Sequence, residues 1–464
     1  MSFSALQCAS ILRLDWKYTT TDLFSFLADI PWAMLLDSAS GDHCDSRFDI
    51  ICLDPVATLV TQDHGTEISR YQDHGLTDSS VSQLNPFDLV KLELAHYFPV
   101  QKSSQLPFSG GAMGSFSYDL GRKIEKIPAI AADDIPLPVM NIGLYLWALV
   151  FDHQEQVWSL VHYGSDEAAQ TSLTWLQAKL EIKPNRPEFC LVGDWQPQLT
   201  KTDYEEKFDA IQEYIQNGDC YQINLTQRFS AKYQGNEWQA YLKLRESNKA
   251  PFSAFIRLSQ GALLSISPER FIQLRGEDIQ TKPIKGTSPR YSTAAEDRQS
   301  AIQLRHSAKD RAENLMIVDL LRNDLGKVAK PGSVSVPHLF EIESFPAVHH
   351  LVSTVTAKLD AKYDATDLLK ASFPGGSITG APKIRAMEII EELEPSRRSL
   401  YCGSIGYISQ DGQMDTSITI RSLVAIDGTI YCWAGGGIVV DSTAESEYKE
   451  TYDKVSKILP VLEG

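Results

Sequence analysis

Hydrophobic positions along the chain follow two periods. A helical period opens after Thr202, where Thr202 and Glu205 have the spacing of a capping box. Tyr204, Phe208, Ile211 and Ile215 then form an apolar stripe that stops at Gly218. The same period predicts helices over Asp310 to Leu325 and over about Ala444 to Leu462. Elsewhere short apolar runs are broken by turn residues, as in hairpins. Leu144 to Phe151 and Val157 to Tyr163 flank Asp152 to Gln156. Phe255 to Leu258 and Ala262 to Leu274 flank Ser259-Gln260-Gly261, and Asp411-Gly412 and Asp427-Gly428 separate further β-rich runs. Strands come in groups and helices come in groups, without βαβ alternation. The pattern predicts an α+β protein built on mixed, largely antiparallel sheets.

The stretch from Ile182 through Pro197 is mostly polar, punctuated by Pro184, Pro187 and Pro197, and reads as a connection between two lobes, giving domains over 1–190 and 191–464. At 464 residues the chain can bury a large core. A net charge of −17 disfavours nucleic acid, which needs clustered cations. No run approaches the roughly 18 apolar residues of a membrane helix; the nearest, Ile142 to Phe151, is short enough for a buried strand. The seven cysteines are scattered, with no Cys-x-x-Cys pair, as expected of a reducing, cytoplasmic setting without a disulfide framework.

Lys285 stands between Pro283-Ile284 and Gly286-Thr287. Two readings fit it. A lysine at a strand end beside a turn is ordinary. A lysine drawn into a half-dry site loses proton affinity and becomes an amine nucleophile. Asp310 and Glu313 share one face of a predicted helix, and Glu447 and Glu450 share one face of another. Four such carboxylates either surround a hard divalent cation or carry ordinary solvated charge, with Glu450 pairing with Lys454.

Two glycine-rich segments are expected to be turns. In Phe373 to Lys383, Thr379 is a candidate helix cap and Pro382 lies in the first turn, but Ala381-Pro382 stand where a phosphate loop needs Lys-Ser/Thr. Ala434 to Val439 lacks the third spaced glycine of a dinucleotide fold.

The order of several motifs is more specific than any one of them. Tyr221 to Leu225, Ser267 to Phe271, Pro283 to Thr287 and Asp310 to Asn314 are followed by Arg322-Asn323-Asp324, His350 to Ser353, Gly380 to Lys383 and Glu447 to Thr451. The set resembles the chorismate-binding enzymes, and Leu35 to Ser38 and Tyr118 to Arg122 are similar to the first domain of the same synthases. The resemblance implies a two-lobed, β-sandwich-like core with peripheral helices, like that of anthranilate synthase component I. Within the family, anthranilate synthases carry alanine at position 285, while lysine there marks the branch that aminates chorismate at C4 on the p-aminobenzoate and folate route. Isochorismate and salicylate synthases carry a lysine base at the position matching Gln222.

The resemblance further implies a role for each matching residue. Lys285 would attack C2 of chorismate and Glu269 would protonate the departing C4 hydroxyl. Glu313 and Glu447 would ligate Mg²⁺, with Asp310 and Glu450 acting through water. Arg421 and Tyr407 would bind the pyruvyl carboxylate, helped by main-chain N–H groups at Gly436 and Gly437. Gln222, Thr287, His350, Ser377 and Lys454 would line the substrate pocket. No cysteine lies in a Gly-x-Cys-x-Gly elbow, so ammonia is expected from a separate glutamine amidotransferase subunit, component II, in a heterodimer.

In feedback-regulated relatives the region of Leu35 to Ser38 helps form an amino-acid pocket. Ser38, Asp45, Ser46, Arg47, Phe48, Pro251, Phe252 and Ser253 either hold L-tryptophan here or make a purely structural contact between lobes. Three other functions compete. An anthranilate synthase is opposed by Lys285, a non-catalytic amino-acid sensor by the intact Glu269, Lys285, Glu313 and Glu447, and a nucleotide-binding enzyme by both glycine segments.

Overall fold

The structure is a computed structural model and describes residues 8–39, 45–344 and 348–463. Two twelve-stranded sheets pack face to face. The first runs Ser10–Leu14, Val157–His162, Trp147–Asp152, Phe48–Cys52, Met34–Asp37, Phe252–Arg257, Gly261–Ser267, Ser422–Ile426, Thr429–Ile438, Gln222–Gln234 and Cys190–Pro197, with the short Gly380–Ala381 strand beside Gln222. The second runs Ile284–Pro289, Val348–Lys358, Asp278–Thr281, Arg270–Arg275, Met414–Ile418, Ser404–Ser409, Gly111–Phe116, Met140–Tyr145, Ala57–Gln62, Gly65–Gln72 and Gly75–Ser82, with Ser335–Ser344 on Val348–Lys358. The strand pairs of both sheets are antiparallel, consistent with the α+β architecture expected from the pattern.

Residues from both sides of position 190 enter both sheets. The halves meet where Met34–Asp37 pairs with Phe252–Arg257 and where Gly111–Phe116 pairs with Ser404–Ser409. Met34, Ile50, Leu59, Met113, Phe271, Ile405 and Val424 fill the space between the sheets. On the outer face of the first sheet, Phe24, Trp158, Trp238, Tyr241 and Phe255 form a second core under the helices. Each such side chain contributes about 1.5–3 kcal/mol when fully buried. Among the described residues no helix is long and apolar enough to cross a membrane.

Several apolar runs that look continuous are divided between the sheets. Ile142 to Phe151 is two strands, Met140–Tyr145 in the second sheet and Trp147–Asp152 in the first, with the crossing at Leu146. Ala262 to Leu274 likewise divides at Pro268-Glu269 into Gly261–Ser267 and Arg270–Arg275. Proline has no N–H to give a ladder, so the sheet change falls there.

The helix expected after Thr202 spans Lys201–Gln216, and its capping box is Thr200 with Asp203. The threonine at 200 is preferred because its hydroxyl reaches the Asp203 N–H while Asp203 returns to the Thr200 N–H. Cys190–Pro197, expected within a linker, is a strand on Gln222–Gln234. The last helix is broken into Ala444–Val455 and Leu459–Glu463.

Candidate active site

The sheet crossing at Pro268 turns Glu269 away from the ladder and into the protein, where it is 5% exposed. A second crossing, from Met414–Ile418 to Ser422–Ile426, lies alongside it and contains Arg421. The two crossings are stitched together: Ile418 N donates to Glu269 O at 3.0 Å, and Ile266 N to Arg421 O at 3.1 Å. Arg421 is therefore not on a strand as its alternation with apolar neighbours suggested. Its φ of +50° belongs to the turn between sheets.

Lys285 enters from the edge strand Ile284–Pro289, at a register irregularity between Ile284 and Thr287. Gly286 has φ +83°, and a Cβ there would meet Asp310 Oδ1 at 2.8 Å, so only glycine fits beside the carboxylate helix. Lys285 Nζ donates to the Ser377 main-chain carbonyl at 3.0 Å. Burial and the Lys454 ammonium lower its proton affinity, outweighing the opposing pull of Glu313, Glu269 and Glu450. Burial pushes the Glu269 carboxyl up to about 7, although Lys285, the Ser377 side chain and the Ile284 backbone all favour its charged form. An amine shifted toward neutrality therefore stands beside a carboxylic acid that can hold a proton near neutral pH.

Asp310 and Glu313 lie on the helix Ala308–Gly326, which is capped by Ser307, and Glu447 and Glu450 lie on Ala444–Val455. Burial, Asp310 and Glu447 raise the pKa of Glu313 against Lys285 and Lys309. Glu450 is lowered despite burial, because Lys454 stands 2.6 Å away. Glu447 is 1% exposed; its Oε1 accepts from Ser442 at 2.7 Å and faces Lys309 at 3.5 Å, while its buried Oε2 has no hydrogen-bond partner. Sequence reasoning missed both neighbours. Lys309 was signalled only by adjoining Asp310, and Ser442 by nothing local.

The expected glycine turn at Ala434 to Val439 is part of the strand Thr429–Ile438. Its bare positions make room for side chains. A Cβ at Gly436 would meet Glu447 Oε2 at 2.8 Å and Glu450 Oε1 at 3.3 Å, and one at Gly437 would run into Gln222 Nε2. Orphaned Glu447 Oε2 beside Gly436, with Glu313 raised by burial and, less, by its acidic neighbours, fits a hard divalent cation in need of anionic oxygen. Among the described residues no group of three or more His, Cys, Asp or Glu side chains is already gathered as a metal cluster.

Around this centre, Thr287 Oγ1 lies 2.9 Å from His350 Nδ1, and burial with the nearby Arg421 charge pushes His350 down to about 3. Lys454 Nζ donates to Gly435 O at 2.7 Å, and the buried Gln222 Oε1 has no partner. Burial lowers the Arg421 pKa, and its guanidinium has no hydrogen bond or ion pair among the described residues. Thr379, expected to cap the next helix, is buried and donates to Gly375 O and Gly376 O instead; the cap position falls to Pro382.

Tyr407 is not at this site. With Ile405 it points between the sheets, where Arg275 Nη2 donates to its hydroxyl at 2.7 Å and Phe108 packs on its ring. The tyrosine whose backbone neighbours the Arg421 segment is Tyr401, since Cys402 N donates to Thr419 O.

Tyr407 instead lines a cavity of about 280 Å³ with Ser38, Asp45, Arg47, Phe48, Pro251, Phe252 and Ser253. Arg47 lies over Phe48 and Arg270 over Phe252, at 4.7 and 4.9 Å. Ser46 lies behind the wall, its hydroxyl donating to Ser38 O. The volume is near the low end of the roughly 300–1,000 Å³ of small-molecule sites.

Residues 33–460 match the family described as chorismate binding enzyme. The chain is 53% identical over 457 residues to aminodeoxychorismate synthase component 1 of Escherichia coli (strain K12), covering 98% of each chain. It is 35% identical to anthranilate synthase component 1 of Geobacillus stearothermophilus, over 92% of this chain and 88% of that one. The crystal structure of anthranilate synthase component I from Streptococcus pneumoniae TIGR4 superposes with a TM-score of 0.77 at 34% identity, covering 90% of this chain and 93% of that chain.

Proposed function

The chain belongs to the chorismate-binding enzyme family, and from that premise we propose that it is the chorismate-aminating component of an aminodeoxychorismate synthase, acting in the cytoplasm. It converts chorismate and ammonia to 4-amino-4-deoxychorismate and water for p-aminobenzoate synthesis. The observation that carries the residue assignment is the sharing of Ser377 by Lys285 and Glu269, with proton affinities moved toward each other.

Neutral Lys285 Nζ forms a bond to C2 of chorismate as both conjugated ring double bonds shift toward C4 and the C4–O bond breaks. The proton from Glu269 leaves with that oxygen as water. Ammonia then bonds to C4, both double bonds return to their original places, and the C2–Nζ bond breaks to release Lys285. The proton lost from the added nitrogen restores Glu269. Two allylic displacements leave the amine at C4, and the pyruvyl ether is retained because no later elimination is supplied. Glu313 and Glu447 would hold magnesium, with Asp310 and Glu450 through water, and the bound ion supplies charge neutralisation at the ring carboxylate. Arg421 takes the pyruvyl carboxylate through charge-assisted hydrogen bonds. His350, held neutral, and Thr287 border the ring.

Ammonia comes from a partner glutaminase. The isolated chain should therefore aminate chorismate with ammonium salts and be inert with glutamine. The inter-sheet cavity takes an aromatic amino acid such as tryptophan, between Phe48, Phe252 and the paired cations; titration calorimetry with tryptophan tests this, and absence of heat at millimolar ligand would refute it. The assignment of Lys285 is tested by mass spectrometry of the product from chorismate, Mg²⁺ and ammonium. Wild type should give 4-amino-4-deoxychorismate; a Lys285→Ala variant making it at the wild-type rate would remove the nucleophile. Anthranilate as product would favour the alternative synthase.

A further inference from the structure

Behind the Gly376–Ile378 turn lies a buried ion pair that contacts none of the reacting groups named above. Arg398 and Glu394 side chains are 1% and 5% exposed. Arg398 Nε donates to Glu394 Oε2 at 2.9 Å and Nη2 to Oε1 at 2.7 Å, a fork-to-fork pair. Two further donors go to main chain: Nη1 to Ile378 O at 2.9 Å and Nη2 to Asn224 O at 2.5 Å. Glu394 Oε1 also accepts from Thr226 N and Thr226 Oγ1, at 3.0 and 2.9 Å. The guanidinium lies 5.0 Å from the centre of the Tyr118 ring.

Taking two ions out of water costs several kcal/mol each, and an apolar pair of the same volume would often stabilise a core as well or better. Stability is therefore a poor reason for the pair. Its geometry supplies another. It bolts the turn to the strand Gln222–Gln234, alongside Asn224 N donating to Thr379 O at 2.8 Å. Ile378, whose carbonyl it grips, directly follows Ser377. Ser377 offers its carbonyl to Lys285 and its side chain to Glu269. A rigid arginine fork holding a carbonyl fixes the adjoining peptide in direction as well as position.

We propose that Arg398, oriented by Glu394, is a positioning residue for the amination, acting through Ser377 to keep the lysine nucleophile and the carboxylic acid in register. The proposal rests on the roles given above to Lys285 and Glu269. Misplacement of about 1 Å between reacting groups costs on the order of 10²-fold in rate.

The test uses the full chain with chorismate, Mg²⁺ and ammonium, comparing Arg398→Lys, Glu394→Gln and Lys285→Ala. Folding is followed by near-ultraviolet circular dichroism and rates are normalised to folded protein. Arg398→Lys keeps the charge and loses the fork. It should lower kcat by roughly 30-fold or more, leave KM for chorismate within about threefold, and shift the Glu269 inflection in the pH profile. Glu394→Gln should move the same three readouts in the same direction by less, and it decides the matter if Arg398→Lys does not fold. Folded variants with wild-type kcat and an unmoved inflection would overturn the proposal, as would a rate loss confined to KM. Full activity in Lys285→Ala would instead overturn the nucleophile assignment, independently of the Arg398 result.

Discussion

Glu269 and Lys285 meet through one residue: the Ser377 carbonyl accepts from the lysine at 3.0 Å, and the Ser377 side chain binds the carboxyl. The proposed mechanism needs the carboxyl protonated and the amine neutral. Glu269 sits at about 7, and Lys285 is below its ordinary 10.5. With the two proton affinities moved toward each other, the correctly protonated pair is more abundant than for ordinary side chains, and kcat/KM falls on both sides of its optimum. Because the groups are close, the inflections belong to the pair. With free ammonia held constant over roughly pH 5.5–9.5, wild type should show an inflection near 7. Glu269→Gln should lose about 10²–10⁴ in rate, and its residual activity should lack that inflection. An inflection near 7 that survives the substitution would remove Glu269 as its source.

The same carboxyl makes a prediction about stability. Its pKa is raised from 4.5 to about 7 on folding, so between those values the folded protein keeps a proton that the unfolded chain has released. Its contribution to stability is full below 4.5 and is lost as pH rises through 7. At pH 8 the buried carboxylate costs up to about 3 kcal/mol. Glu269→Gln carries no charge and should unfold at higher urea concentration than wild type at pH 8, with the gap closing near pH 4. Coincident midpoints at both pH values would mean that burial does not raise this group.

Much of the site was legible in the sequence because chemistry and spacing travel together. Glu313, Glu447 and Glu450 come from two helices whose period is plain, and Lys285 sits in the half-dry setting that was one of the two readings its flanks allowed. What the period could not show is where a strand changes sheet. Glu269 and Arg421 both lie at such crossings, and an alternating pattern reads straight through them. Tyr407 was misplaced for the converse reason: on a strand between two layers, alternation does not say which cavity a side chain enters. Gly435, Gly436 and Gly437 read as a turn because glycine is depleted in strands, yet here the missing Cβ atoms of Gly436 and Gly437 leave space for Glu447, Glu450 and Gln222, and that of Gly435 for the Leu225-Thr226 backbone of the next strand.

That reading of Gly436 can be tested directly. Its backbone is an ordinary strand, so alanine brings no backbone strain, only a Cβ against Glu447 Oε2 and Glu450 Oε1. Gly436→Ala should fold normally and lose Mg²⁺ affinity by about 10-fold or more, read by calorimetry without substrate and by the Mg²⁺ dependence of the rate. Unchanged Mg²⁺ binding would separate the Glu447 carboxylate from the metal.

Arg421 gives the sharpest separation of function from stability. It is a partly buried guanidinium without a partner among the described residues, and burial disfavours its charged form. A charge kept out of water with no counter-ion destabilises the fold, whereas a residue retained for structure would have its pair. In the proposed role, the pyruvyl carboxylate of bound chorismate would supply the missing counter-charge. Arg421→Met keeps the length of the side chain and removes the charge, so it should raise the unfolding midpoint while KM for chorismate rises by roughly 30-fold or more. The turn conformation costs methionine no more than arginine, which keeps the comparison fair. Chorismate should also stabilise wild type against heat and fail to stabilise the variant. A variant that is less stable than wild type and still binds chorismate normally would make Arg421 a structural cation.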